Sequence, residues 1–195
     1  MTFEFRKECF KTAFRNQNTL EPMEVANEVR YDPITGELSR VFPFKQFKLE
    51  PHDWTNTAEA SKQSCPFCPG KLEKVTPLFP EELIPAGRLR HGKAVVVPNL
   101  SPYSAYSGVV ILGNEHYLPL AAIPTDIMVD GLTAGISFLN RVKEFDPDKG
   151  RFGALAWNYM PFAGGSIIHP HIHSIAGPGP GNTQRALMDS SAQFM

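Results

Sequence analysis

Cysteine is scarce in this chain: three among 195 residues, two of them as Cys65-Pro-Phe-Cys68. That number excludes a disulfide framework and suits a reducing compartment, which makes the cytoplasm the expected location. Cys9 stands apart and implies only a thiol near the N-terminus. Basic residues never gather into a block or stripe, and 19 Lys and Arg against 20 Asp and Glu leave a net charge of −1. Nucleic acid is therefore not an expected partner. Nor does any apolar run reach the length of a membrane span, since "AVVVP" and "GVVILG" are only strand-sized, so no membrane partner is expected. The opening "MTFEFRKECFKTAFRNQ" is charged throughout and lacks the apolar core of a secretory signal. Its Arg, Lys and Phe hint at a transit peptide, but Glu4 and Glu8 weigh against one.

What remains is the composition of a globular domain, 42% hydrophobic, long enough for one sizeable core. Residues 1–27 read as a polar arm or short helix. "EVRYDPITGELSRVFPF" reads as a hairpin: Pro33 presets a turn dihedral and Gly36 supplies a positive φ, so Asp32–Gly36 closes the loop. The next stretch, through Cys65 and Cys68, is loop-rich and needs an internal tie. "KAVVVPN" and "SGVVILG" then predict neighbouring buried strands. A helix follows Pro124, with Thr125 as its cap and Val129, Leu132, Ile136, Leu139 and Val142 as its apolar face. Gly131 and Gly135 within it suggest close backbone packing. Asp146-Pro147 ends it, and "FGALAWNYM" and "IIHPHIHSI" predict two more strands. The order of elements predicts an α+β domain, an antiparallel sheet with one long helix. "GPGPG" at 177–181 reads as a stiff connector.

Half of the six histidines fall in one short stretch, at positions 169, 171 and 173. In a strand, alternate residues share a face about 6.6 Å apart, so the three imidazoles form a row. Ile168, Pro170 and Ile172 take the other side, and Pro170, lacking a donor, predicts an edge or a locally unpaired position. Such order disfavours a chance set of surface histidines. The preceding Ala163-Gly164-Gly165-Ser166 is a candidate nest, with unshielded N–H groups and a hydroxyl for phosphate oxygens.

Cys65 and Cys68 form a knuckle able to share one tetrahedral ion. With no second cysteine pair, the remaining ligands of a closed zinc site must be histidines: His116 in "GNEHYLP" and one member of the row. A redox pair is the alternative, but it would need a thioredoxin-like strand–helix junction that the pattern lacks.

The combination of Cys65-Pro-Phe-Cys68-Pro-Gly70, "GNEHY", Asn158 and "GGSIIHPHIH" resembles galactose-1-phosphate uridylyltransferase, within the histidine-triad superfamily. "RYDPITGE" resembles that family's opening hairpin, and the likeness runs from Val29 to Arg185. The resemblance implies an HIT-like fold with a zinc-tied loop, the zinc held by Cys65, Cys68, His116 and His169. It implies that His171 attacks the α-phosphorus of UDP-glucose and carries a covalent uridylyl group to a hexose 1-phosphate. Asn158, Ser166 and His173 would hold phosphoryl oxygens, with Gly164 and Gly165 in the turn beside them, and Asn99 would lie near the uridine. The carbonyl of Gly165 would orient the His171 ring. The implied organisation is an arm at 1–27, a nucleotidylyltransferase domain at 28–185, and a connector from 186 to 195 toward a second half, in a homodimer. Two departures matter: the family has two similar halves and this chain ends where the second begins, and residue 173 is His where the family carries glutamine, an imidazole that can also move a proton. That admits nucleotide hydrolysis or phosphorolysis as the alternative activity, with a nucleotide-binding module as a third reading.

Overall fold

In the computed structural model, residues 4–42 and 52–192 are described. They divide into two compact units, one of residues 53–180 and one of residues 4–42, 52 and 181–192.

The larger unit is built on a five-stranded antiparallel sheet. Its strands are β4 (Leu89–His91), β5 (Ala94–Pro98), β6 (Tyr106–Ile111), β7 (Phe152–Ala156) and β8 (His171–Gly177), in the order β4-β5-β6-β8-β7. β5 and β6 are apolar at nearly every position because both faces of the sheet are covered. One face carries Ala94, Val96, Val110 and Ile172 against a 21-residue helix, α3 (Thr125–Phe145). The other carries Val95, Val97, Val109 and Ile111 against Cys65, Phe67 and Leu72. The register pairs Ile111 with His171 and Val109 with His173, which puts both histidines in the second face. Two short helices, α1 (Thr55–Lys62) and α2 (Leu72–Val75), flank the cysteine knuckle.

The structure corrects the helix in two respects. Thr125 is its first residue, preceded by Pro124, and no side chain caps it. The buried face is Ile127, Gly131, Ala134, Gly135, Phe138 and Val142, while Val129, Leu132 and Ile136 are exposed. Of the expected face, Val142 is fully buried and Leu139 packs against the core, so hydrophobicity located part of the contact and missed the small residues Gly131, Ala134 and Gly135 that allow the close approach. A Cβ at Gly131 would stand 2.1 Å from Leu112 Cδ2, and one at Gly135 2.8 Å from Leu155 Cδ2. Glycine lets the helix backbone lie against the sheet, where Ser174 Oγ donates to the Gly135 carbonyl at 3.1 Å.

β8 is also not an edge. It lies between β6 and β7 and starts at His171, so Pro170 sits just before it and accepts from Leu112 N at 3.0 Å. On the β7 side, however, pairing stops at Ala156↔His173, which leaves the start of β8 open there.

The smaller unit holds a second antiparallel sheet, β1 (Lys7–Arg15), β2 (Pro22–Tyr31) and β3 (Leu38–Val41). Lys7–Arg15, expected as arm or helix, pairs along its whole length with Pro22–Tyr31. Alternation explains this: Phe10 and Phe14 fall on one face, Lys11 and Arg15 on the other. The Asp32–Gly36 turn forms as expected, with φ +72° at Gly36. The Asp32 carboxylate accepts from Ile34 N at 2.9 Å and from Thr35 N at 2.7 Å. After the Gly-Pro run the chain forms a helix, α4 (Asn182–Ser191). No helix among the described residues is long and apolar enough to cross a membrane.

Candidate functional site

Cys65, Cys68, His116 and His169 come from three separate stretches of the chain, yet their ligand atoms all lie within 4.8 Å of one another. Cys68 Sγ is 3.3 Å from His116 Nδ1 and 3.7 Å from His169 Nδ1. Around a tetrahedral ion with sulfur at about 2.3 Å and nitrogen at about 2.05 Å, those ligand atoms stand about 3.6 Å apart. The cluster can hold a metal ion, and two thiolates with two imidazoles are a donor set for a soft or borderline one.

The far nitrogen of each imidazole is fixed. His169 Nε2–H donates to the Gly113 carbonyl at 2.8 Å. His116 Nε2–H donates to Ser61 Oγ at 3.0 Å, and that hydroxyl donates to the Ala58 carbonyl at 3.0 Å. Both rings therefore present a bare Nδ1 to the sulfurs, the arrangement that outer partners give to metal ligands. Burial holds His116 below its ordinary value and pushes His169 down to about 4. Burial, then the neighbouring Cys65 sulfur, pushes the Cys68 thiol up to about 11. A cation works the other way and favours the thiolate. Ser61 has no spacing relationship to the cysteines, and nothing in the sequence marked it or the Gly113 carbonyl.

Beside this cluster lies a cavity of about 310 Å³, lined by Phe67, Val97, Val109 and Tyr103 and by His171 and His173. Asn99, Asn158, Gly164 and Ser166 also reach it, so the expected site residues gather here with the exception of Gly165. His171 and His173 share the face of β8, their rings 5.2 Å apart. Phe67 sets its ring against His171 at 5.5 Å and against His169 at 6.1 Å. The Phe inside the cysteine knuckle thus contacts both sites, a role its position between the cysteines did not signal. Burial lowers the pKa of His171 and of His173, which favours neutral imidazoles.

Two expectations are corrected. His171 Nδ1–H donates to the carbonyl of His169 at 2.7 Å, and not to that of Gly165. The Gly164 and Gly165 N–H groups are spent inside the turn, on the Pro161 carbonyl at 2.9 Å and the Met160 carbonyl at 3.1 Å. They form no nest. Gly165 is needed for space, since a Cβ there would meet the Asn158 carbonyl oxygen at 2.5 Å. Gly164, at φ +84°, supplies the left-handed turn. The Ser166 side chain stays exposed at the cavity.

Asn99 is partly engaged: its Nδ2 donates to Ser107 Oγ at 3.3 Å and its Oδ1 accepts from Ser101 N at 3.0 Å. Among the described residues, the buried side-chain polar atoms with no partner are Asn158 Oδ1 and His173 Nδ1. Both belong to residues lining the cavity. Leaving such atoms unpaired costs about 1–3 kcal/mol each.

No family model matches the chain. An uncharacterized protein of Archaeoglobus fulgidus is 33% identical over 170 residues, covering 87% of this chain and 49% of that protein. Two solved structures from Arabidopsis thaliana share the fold. An ADP-glucose phosphorylase with bound ADP-glucose matches with a TM-score of 0.61 and 20% identity, over 86% of this chain and 54% of that one. A GalT-like protein matches with a TM-score of 0.60 and 22% identity, over 85% of this chain and 52% of that one. This chain spans about half the length of each of these three proteins.

Proposed function

From the fold of the galactose-1-phosphate uridylyltransferases, a histidine-triad fold, we propose that this protein transfers a nucleoside monophosphate from a nucleotide sugar through a covalent His171 intermediate. The reading takes the sugar nucleotide as UDP-glucose and the acceptor as a hexose 1-phosphate. The observation that carries it is the state of one ring. With Nδ1–H committed to the His169 carbonyl, His171 keeps Nε2 as a lone pair, and the residue lines the cavity. A neutral imidazole is a competent nucleophile at phosphorus near pH 7.

In the first step Nε2 bonds to the α-phosphorus and the bond to the bridging oxygen breaks. That oxygen keeps the electron pair and departs as hexose 1-phosphate. In the second, a phosphate oxygen of the incoming hexose 1-phosphate bonds to the same phosphorus, the P–N bond breaks, and its electron pair returns to His171. Each displacement leaves the charge count unchanged. Asn158, Ser166 and His173 are the phosphate-contacting groups of this reading. The lining holds no Lys or Arg among the described residues. A homodimer is part of the proposal, as a source of cations for the diphosphate from beyond this wall. Zinc suits the Cys65, Cys68, His116 and His169 donor set, and when bound it would fix His169, whose carbonyl orients the nucleophile. The free thiols of Cys65 and Cys68 suit a cytoplasmic setting.

A second reading rests on His173. The residue lines the cavity and its ring adjoins that of His171, so an imidazole there can exchange a proton with an entering or leaving group. Water or inorganic phosphate would then serve as acceptor, as the name ADP-glucose phosphorylase implies for one structural neighbour. Incubation with radiolabelled UDP-glucose and ADP-glucose, without acceptor, separates the readings. Acid-labile label on the protein, absent in His171→Ala and discharged by hexose 1-phosphate, supports transfer. Discharge by phosphate alone, or steady release of nucleoside monophosphate, supports the second reading. Absence of label and of turnover with either nucleotide sugar overturns both.

A further inference from the structure

A cleft of about 150 Å³, separate in its floor from the cavity at His171, reaches the metal cluster. Cys65 and His116 line it, together with Ser61, Ser64 and Ser166. Ser64 and Ser166 are exposed, Ser61 is half-buried, and Cys65 and His116 are only 4% and 7% exposed. The cleft thus runs from solvent, past three hydroxyls, to one thiol and one imidazole of the cluster. None of the four cluster residues lines the larger cavity, whose wall on this side is Phe67, set against the His169 ring.

We propose that this cleft is the port through which the metal ion enters and leaves the folded protein. The inference rests on the metal reading of the four ligands and is independent of the transfer chemistry. A buried four-ligand site can exchange its ion in two ways. Either the fold opens locally, or a path through the native structure brings water or a competing ligand to the ion. The cleft is a path of the second kind.

Exchange begins when one protein ligand lets go, and the ligands that an incoming group can reach are Cys65 and His116. His169 is fully buried, and its Nε2–H is held by the Gly113 carbonyl. His116 is held instead by Ser61 Oγ, which itself lines the cleft, so water arriving there can compete for that hydrogen bond. Hydroxyl walls suit a passage. An ion coming from water carries oxygen ligands, and a neutral serine oxygen can stand in for one of them while binding a borderline ion far more weakly than thiolate or imidazole does. Ser64 is the place to narrow the path. Its side chain is exposed, and its Oγ donates to the Ser61 carbonyl at 3.1 Å, so it can be enlarged without replacing a ligand.

Replacement of bound zinc by radioactive zinc, followed on the metal-loaded protein, reads the port. Ser64→Phe should slow this exchange by about tenfold or more, while its affinity, from competition with a chelator, stays within about twofold of the parent. Entry and exit then slow together, as a narrowed shared path requires and a damaged ligand set does not. Ser61→Ala, which loosens His116, should instead weaken affinity and hasten release. A second measurement needs no variant. Exchange in the parent should be nearly insensitive to urea below the unfolding transition, because passage through a native cleft exposes no new surface. An exchange rate unchanged in Ser64→Phe, an affinity that falls as far as the rate, or a rate that climbs steeply with urea overturns the port and leaves the metal site standing. Protein that holds no zinc after incubation with it overturns both. Labelling of His171 bears on neither.

Discussion

The backbone carbonyl of His169 accepts the Nδ1–H of His171 at 2.7 Å, while the His169 ring turns its own Nδ1 toward Cys68 Sγ, 3.7 Å away. One residue therefore belongs to two sites, by its ring to the metal cluster and by its carbonyl to the proposed nucleophile. The cluster fixes the position of His169, and the tautomer of His171 follows from that.

Loss of the ion should accordingly reach the chemistry. Cys68→Ser is expected to purify with well under one metal ion per chain, to melt several degrees lower, and to take up label from UDP-glucose more slowly. Metal analysis and labelling rates on the same sample check this. A metal-depleted protein that labels at the original rate would separate the two sites.

Ser61 offers a finer test of the same cluster, because it touches no ligand sulfur and only holds the His116 ring. Outer partners of this kind are worth about 10- to 100-fold in metal affinity. Ser61→Ala should weaken the ion by about that factor in competition with a chelator, with the folded state retained. Ser61→Thr, which keeps the hydroxyl, should restore most of it.

On α3, the glycines and the large apolar residues make opposite predictions. Gly135→Ala places a methyl against Leu155 and should destabilise the domain by about 1–3 kcal/mol. Phe138→Ala empties a fully buried site and should cost about 3–5 kcal/mol. Ile136→Ala, at a half-exposed position, should change stability far less. Denaturant midpoints of the three variants check the assignment.

That helix also shows where the sequence was readable. The cysteine knuckle, His116 and the alternating histidines were legible because metal and strand chemistry impose short, regular spacings. The strands at Val95 and Val110 were legible because burial on both faces leaves a run of β-branched residues. The face of α3 was legible only in part, at Leu139 and Val142. The stretch that packs through Gly131, Ala134 and Gly135 carries no hydrophobic signal, while the exposed Val129, Leu132 and Ile136 carry a strong one. The strand at Lys7–Arg15 was missed for a different reason: nearly all of it is exposed, so the alternation of Phe10 and Phe14 with Lys11 and Arg15 is its one weak mark. The Gly164-Gly165 turn misled for a third reason. Donors that look free in a sequence can be consumed by a carbonyl a few residues back, here those of Met160 and Pro161.

A pH test follows from Asp146, just past the end of α3. The Lys149 N–H at 3.0 Å and then the Tyr106 hydroxyl at 2.9 Å hold its carboxyl below the usual carboxylate range. A depressed folded-state pKa contributes stability above the unfolded value and loses it as pH falls through the folded one. Tyr106→Phe should therefore be less stable than the parent at neutral pH, and the gap should narrow as the solution is acidified below about pH 4. Urea midpoints of the two proteins across that range check the sign. A gap that widens toward acid would be incompatible with it.

His173 decides between transfer and hydrolysis. An imidazole that lines the cavity can hold the phosphate and also pass a proton, because a neutral ring carries one bare and one protonated nitrogen. An amide of similar reach can only hold the phosphate. Proton transfer by a positioned side chain contributes about 10²- to 10⁴-fold, so His173→Gln should cut release of free nucleoside monophosphate by about 10²-fold or more. Attack by His171 leaves the leaving group as a phosphate oxygen that needs no proton, so formation of the covalent intermediate should fall far less. Discharge by a hexose 1-phosphate should persist for the same reason, since its attacking oxygen carries no proton to be removed. If the glutamine variant loses transfer and hydrolysis in equal measure, His173 only positions the phosphate, and the hydrolase reading loses its support.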